Sequence, residues 1–139
     1  AAPLPGLGGA LGIKVETVSK NKFDYLVEVD SEEVVRNLKP DFGKLREIEV
    51  RGVIVTARPE SGPYDFISRF FAPRAGVNED PVTGSAHCFL GPYWAKRLGK
   101  TEFLAYQASA RGGEIRVRLL GGRIFLSGKA VTVLRGELI

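Results

Sequence analysis

Much of the chain alternates apolar and polar residues, the period expected of half-buried strands. Phe23-Asp24-Tyr25-Leu26-Val27-Glu28-Val29 carries the pattern most clearly, and Val15 and Val18 sit in a shorter candidate strand before it. The stretch from Gly52 to Ala57 is dense in β-branched residues and predicts a central strand. Tyr64 to Phe71 predicts another. Later strands are predicted at Phe103 to Ser109, Glu114 to Leu120, Arg123 to Ser127 and Ala130 to Leu134, with Gly121-Gly122 as a hairpin turn. Two segments switch to helical spacing. Asp30-Ser31-Glu32-Glu33 opens like a capping box, with Val34, Val35 and Leu38 on one face and Pro40 as the stop. A longer helix is predicted from about Ser85 to Leu98, ended by Gly99, with Lys96 and Arg97 at the negative end of its dipole. Gly91-Pro92 should kink or divide it. The connections read as too short for crossovers between parallel strands. The expectation is an α+β fold, a mostly antiparallel, barrel-like sheet wrapped around one central helix.

At 139 residues the chain is about one domain. Residues 1–11 are small, uncharged and rich in Gly and Pro, and are expected to be a linker or a cut edge before a single domain at 12–139. The absence of Met fits a fragment or a processed chain. Hydrophobic content of 44% with 26% charged residues describes a globular, foldable chain. No apolar run is long enough to cross a bilayer and nothing at the start looks like a signal peptide, so no membrane partner and a cytoplasmic location are expected. A single cysteine, Cys88, excludes an internal disulfide and suits a reducing compartment. One Cys and one His argue against a protein-only zinc site, and no metal is expected. The net charge of +4 comes from Lys and Arg interleaved with acids. Without a basic block nucleic-acid binding has only composition behind it and no nucleic-acid partner is expected, while a mild positive field is equally compatible with anionic small molecules.

The chemistry concentrates in Glu79-Asp80-Pro81-Val82-Thr83-Gly84-Ser85-Ala86-His87-Cys88. The first amides of a helix lack intrahelical partners and carry partial positive charge, so Gly84, Ser85 and Ala86 could receive a carboxylate or phosphate. Asp80, one turn outside, could be an acid, a base or a ligand contact. The plain alternatives are a Ser-capped helix and a turn aspartate bonding its own backbone. Glu79 and Asp80 would raise each other's pKa if both were poorly solvated. No His-Asp relay accompanies Ser85, so a nucleophilic serine is not expected. His87 reads first as a satisfied structural histidine and second as a proton shuttle. Cys88 is expected in the core. A second cluster, Gln107 to Gly113, offers the Arg111 guanidinium to a carboxylate, or is a bulged turn. Arg69, beside Phe70 and Phe71, is expected to snorkel or to be paired.

Arg69-Phe70-Phe71-Ala72-Pro73, Gly76, the stretch from Glu79 to Cys88, Pro92-Tyr93-Trp94, Gln107-Ala108-Ser109 with Arg111-Gly112-Gly113, and Gly128-Lys129-Ala130-Val131 together resemble the PhzF-like phenazine-biosynthesis family, in order. The resemblance covers only that family's C-terminal half. It implies a diaminopimelate-epimerase-like fold, in which two similar halves enclose an active site. It also implies cofactor-free and metal-free isomerase chemistry and a homodimer. The characterised phenazine enzyme moves a proton on a dihydro-hydroxyanthranilate ring. On this resemblance Asp80 is the catalytic residue, and Gly84 and Ser85 hold the substrate carboxylate, while His87 and Arg111 remain possible contributors. The family's principal Glu and a ligand-contacting His lie in the N-terminal half, which has no counterpart in this sequence. The expected partners are therefore a small carboxylate substrate and a second copy or an N-terminal half, and the chain alone is expected to be inactive. The rival expectation is a non-catalytic protein-interaction module of the same fold.

Overall fold

The computed structural model describes residues 5–15 and 18–139, and within them the apolar alternation resolves into one sheet of eight strands with four α-helices. In chain order these are α1 (Leu7–Leu11), β1 (Ser19–Lys20), β2 (Asp24–Glu28), α2 (Glu32–Asn37), α3 (Phe42–Arg46), β3 (Gly52–Ala57) and β4 (Phe66–Ala72). A 3-10 turn at Pro73–Ala75 then leads to β5 (Val77–Asp80), α4 (Gly84–Leu98), β6 (Glu102–Gln107), β7 (Gly113–Leu120) and β8 (Arg123–Ser127). The strands run in the order β1-β2-β3-β4-β6-β7-β8, with β5 paired to the far part of β4.

Most pairings are antiparallel, as the alternation predicts, but β2 with β3 and β4 with β6 are parallel. These are crossovers that the sequence reading excluded. The first is carried by α2 and α3, the second by β5 and α4. Short helices satisfy the length requirement of a parallel connection as well as one long helix does.

The two faces of the sheet bury different partners because successive side chains of a strand point to opposite sides. On one face Val27, Val53, Val55, Ala57, Ile67 and Phe71 pack under α1, α2 and α3. On the other, Leu26, Ile54, Phe66 and Phe70 meet Ala86, Leu90 and Trp94 of α4, together with Phe103, Ala105, Ile115 and Val117. The central strand β3 is thus buried along its whole length. Two buried polar groups at this interface are matched: the Trp94 indole N–H donates to Thr56 Oγ1 at 3.1 Å, and that hydroxyl donates to the Ile67 carbonyl at 2.6 Å.

Several local expectations hold. Ser31 caps α2 by accepting from the Val34 N–H, and Gly99 ends α4 in the left-handed region. The Gly121-Gly122 turn has positive φ at both residues. Others need correction. Residues 7–11, expected to be linker, form α1, whose Leu7, Ala10 and Leu11 are buried in the core (residues 1–4 lie outside the described residues). The candidate strand at Val15 and Val18 is reduced to β1, with residues 16 and 17 outside the described residues. Helix α3 is set by Asp41, whose side chain accepts from the Lys44 N–H. Gly91-Pro92 does not divide α4, which is a single helix from Gly84 to Leu98. Pro92 removes one backbone bond, and the burial of Leu90, Gly91 and Trp94 on either side holds the helix together. Ala130 to Leu134 form no strand, with Val131 and Val133 85% and 92% exposed.

Leu90 is fully buried at the centre of the α4 face. Leu90→Ala is expected to lower the unfolding free energy by about 3 kcal/mol, read as the shift of a urea unfolding curve at unchanged slope.

Candidate functional site

The ten-residue stretch that opens α4 is built from three local devices. β5 ends at Asp80 and turns through Pro81 and Val82 into the helix. Thr83 occupies the N-cap position in extended geometry but makes no capping bond with its side chain. Its hydroxyl turns back instead and donates to Asp80 Oδ2 at 2.6 Å. The Ser-capped helix of the sequence reading is therefore replaced by a threonine that serves the aspartate, and Ser85, in the first turn, is left exposed.

Gln107, at the end of β6 and 1% exposed, locks this arrangement. Its Nε2 donates to the Asp80 carbonyl at 2.8 Å and to Thr83 Oγ1 at 3.0 Å, while its Oε1 accepts from the Thr83 N–H at 2.8 Å. Ser109 adds a second clamp: its hydroxyl donates to the Pro81 carbonyl at 2.8 Å and accepts from the Gly112 N–H at 3.0 Å. The cluster from Gln107 to Gly113 thus acts mainly on the signature loop, a role that composition alone does not reveal. Its glycines have packing reasons. A Cβ at Gly112, where φ is +73°, would collide with the Tyr106 hydroxyl, and one at Gly113 would collide with Val82.

The two adjacent carboxylates do not share a pocket. Glu79 pairs with Arg69 at 2.8 Å, and the same guanidinium donates to the carbonyls of Val35 and Leu38, so it also caps α2. Arg69 is thus paired, as expected. Asp80, the next residue on the strand, points to the other face and keeps Oδ1 without a hydrogen-bond partner among the described residues.

At the start of α4 the structure brings Ser85 beside an arginine that the sequence reading passed over. Arg51 Nη2 donates to Ser85 Oγ at 3.0 Å, while its Nε and Nη2 grip both oxygens of Asp24, a carboxylate with no exposure at all. The hydrogen bond to Asp24 is the main reason the Arg51 pKa is raised, with burial working against it. The rings of Phe23 and Phe70 lie 5.2 and 5.7 Å from the guanidinium. The only sequence signal was an arginine immediately before a β-branched strand.

On the other side of Gly84 an open groove of about 700 Å³ runs between Val82, Arg111, Gly113, Leu126 and Lys129. Arg111 is exposed on its wall, which is compatible with the anion contact considered for it. His87 faces the opposite way. It is fully buried, with its ring centroid 6.1 Å from that of Phe66; Nδ1 lies 2.7 Å from the Thr83 carbonyl, and Nε2 has no partner among the described residues. The ring is shut off from solvent, and with Nε2 unpartnered it is not the fully satisfied histidine expected from the sequence. Cys88, expected in the core, is exposed, because α4 turns that face away from the sheet. No group of three or more His, Cys, Asp or Glu among the described residues could hold a metal ion.

A family model described as phenazine biosynthesis-like protein matches residues 7–136. The chain belongs to the PhzF-like phenazine-biosynthesis family. An uncharacterised isomerase of Halalkalibacterium halodurans is 59% identical over 129 residues, covering 93% of this chain and 49% of that protein. A phenazine biosynthesis-like domain-containing protein of Rattus norvegicus is 50% identical over 107 residues, covering 73% of this chain and 37% of that protein. Among solved structures, a PhzF-family protein of Enterococcus faecalis superposes with a TM-score of 0.80 at 40% identity, over 94% of this chain and 52% of that one. The chain therefore spans about half the length of these PhzF-like relatives or less.

Two expectations follow from the site's interior. Gln107→Leu strands the Thr83 N–H and the Asp80 carbonyl, and should cost about 3 kcal/mol in chemical denaturation, with amide shifts moving most over residues 80–84. Burial lowers the His87 pKa below its usual 6.5. The unfolded chain then binds the extra proton first, so this contribution is complete above about pH 6.5 and is lost as the pH falls below it. Urea unfolding between pH 7.5 and 5 should show a stability loss in the wild type, up to about 1.4 kcal/mol per pH unit, that His87→Phe removes.

Proposed function

We propose that this chain forms the C-terminal half of a PhzF-like, cofactor-independent isomerase or epimerase that moves a proton on a small carboxylate-bearing substrate. One observation carries the reading: a single short loop, fixed by Gln107 and Thr83, presents at Asp80 a carboxylate with one oxygen unpartnered among the described residues, beside exposed first-turn residues at Gly84 and Ser85. The amides at the start of α4 and the Ser85 hydroxyl hold the substrate carboxylate. Asp80 Oδ1 exchanges a proton with the substrate, while Thr83 holds Oδ2 and keeps the carboxylate pointed. An isomerisation removes a proton at one carbon and returns one at another, with no net redox change. The second proton-transfer group is assigned to another segment, an N-terminal half by resemblance, and without it the 139 residues bind but do not turn over. In this reading the protein works in the cytoplasm as a homodimer or paired with such a half.

A second reading, an interaction module without catalysis, draws on the exposed apolar tail, where Val131, Val133 and Leu134 are each more than four-fifths exposed. An amide-shift titration with 3-hydroxyanthranilate separates the two. Saturable shifts over Thr83 to Ala86 and at Asp80, weakened about tenfold in Ser85→Ala or Asp80→Asn, are the expected result. A flat titration favours the interaction module.

A further inference from the structure

The Asp24–Arg51–Ser85 chain lies outside every motif that carries the family resemblance apart from its serine. We propose that Arg51 is a positioning residue: it fixes the rotamer of Ser85 and forces the serine hydroxyl proton outward, toward the ligand. The location of that ligand rests on the functional reading above; the orientation of the hydroxyl does not.

Arginine carries five N–H donors and no acceptor. At the 3.0 Å contact between Arg51 Nη2 and Ser85 Oγ, the serine oxygen must therefore be the acceptor. The serine's own proton is then turned away from Arg51, and it has no acceptor among the described residues. The carbonyl one turn back, Pro81, accepts from Ser109 instead. A hydroxyl in this state is committed to donating, which suits a carboxylate oxygen and not a group that must itself donate.

Arg51 cannot easily leave this post. Asp24 is fully buried and both its oxygens are held by the guanidinium, so withdrawal would strand a buried charge. Asp24 is itself fixed, since Asn21 Oδ1 accepts from the N–H groups of Phe23 and Asp24 at the start of β2. The rings of Phe23 and Phe70 flank the guanidinium. Behind it, Gly52 leaves no room for a Cβ against the Phe70 ring. The Arg51–Asp24 pair is formally neutral, so its effect on Ser85 is one of direction and polarity. Arg51 Nη1 keeps its two N–H groups without a hydrogen-bond partner among the described residues, on a side chain 37% exposed.

The plain alternative is that Arg51 only neutralises Asp24 and touches Ser85 incidentally. The two roles separate in a variant that keeps the buried pair uncharged, Asp24→Asn with Arg51→Gln, its fold verified by an amide spectrum with shifts confined to the neighbourhood. Without ligand, the Ser85 χ1 couplings should report one rotamer in the wild type and averaging in the double variant. In titrations with 3-hydroxyanthranilate and its neutral carboxamide, the wild type should prefer the acid by about tenfold. The double variant should lose most of that preference while its affinity for the amide stays within about twofold. Arg51→Lys, again a donor without an acceptor, should restore part of the preference. In a Ser85→Ala background the double variant should cost nothing further. An averaged Ser85 rotamer in the wild type, an unchanged acid preference in the double variant, or a loss equal for acid and amide would overturn the proposal. A fixed, Arg51-dependent rotamer with a flat acid titration would leave the positioning role standing and remove the functional reading instead.

Discussion

The buried amide of Gln107 is the contact on which the site depends. A side-chain amide offers one acceptor and two donors in a plane, and Gln107 uses them on the Thr83 N–H, the Thr83 hydroxyl and the Asp80 carbonyl. Each of these groups sits where a strand becomes a helix, so each would otherwise lack a regular backbone partner. Satisfying them from β6 ties the helix entrance to the sheet at a fixed distance. Burial of Leu90 and Trp94 then sets the direction in which the rest of α4 runs. Because Thr83 is held from one side by Gln107, its hydroxyl has one direction left for its proton, and that direction is Asp80.

Strand geometry explains how two neighbouring carboxylates acquire different work. β5 pairs with β4 up to the Phe70–Asp80 register position, so Glu79 and Asp80 must point to opposite faces. Glu79 falls on the side of α2 and is consumed by Arg69, which also holds carbonyls of α2. Asp80 falls on the side of α4, where only one of its oxygens is engaged among the described residues. The dipeptide Glu79-Asp80 suggests two carboxylates in one place. Adjacency along a strand is instead separation in space.

What the sequence made legible follows the range of the forces involved. Period-2 alternation located β2, β4, β6, β7 and β8, β-branched density located β3, and local capping chemistry located α2 and the end of α4, because all are decided within a few residues. The motif around Asp80 placed Asp80, Gly84 and Ser85 on one loop. Long-range partners were not legible. Gln107 lies 24 residues from Thr83, and Arg51 lies 34 residues from Ser85. Neither spacing leaves a periodic trace. Composition misled at residues 7–11, where Gly8 and Gly9 suggest a linker but Leu7, Ala10 and Leu11 are spaced to bury one side of a short helix. Cys88 was assigned to the core from its apolar neighbours, yet helical geometry gives that face to solvent.

The failed strand at Ala130 to Leu134 follows the same logic. Its β-branched alternation is as good as that of β2, yet a strand exists only with a neighbour to take its backbone hydrogen bonds. No strand pairs with it among the described residues, and Val131, Val133 and Leu134 stand in solvent. An apolar, unpaired segment with strand propensity costs solubility and invites edge pairing. The polar end of the molecule differs in kind. There Gln107 uses both donors and its acceptor within the chain, and Arg51 holds both oxygens of Asp24, which fixes the first turn of α4. Preorganised donors lose little on meeting a charge. Among the described residues, then, the entrance of α4 is fixed by contacts within the chain, while the segment from Ala130 to Leu134 has no strand neighbour.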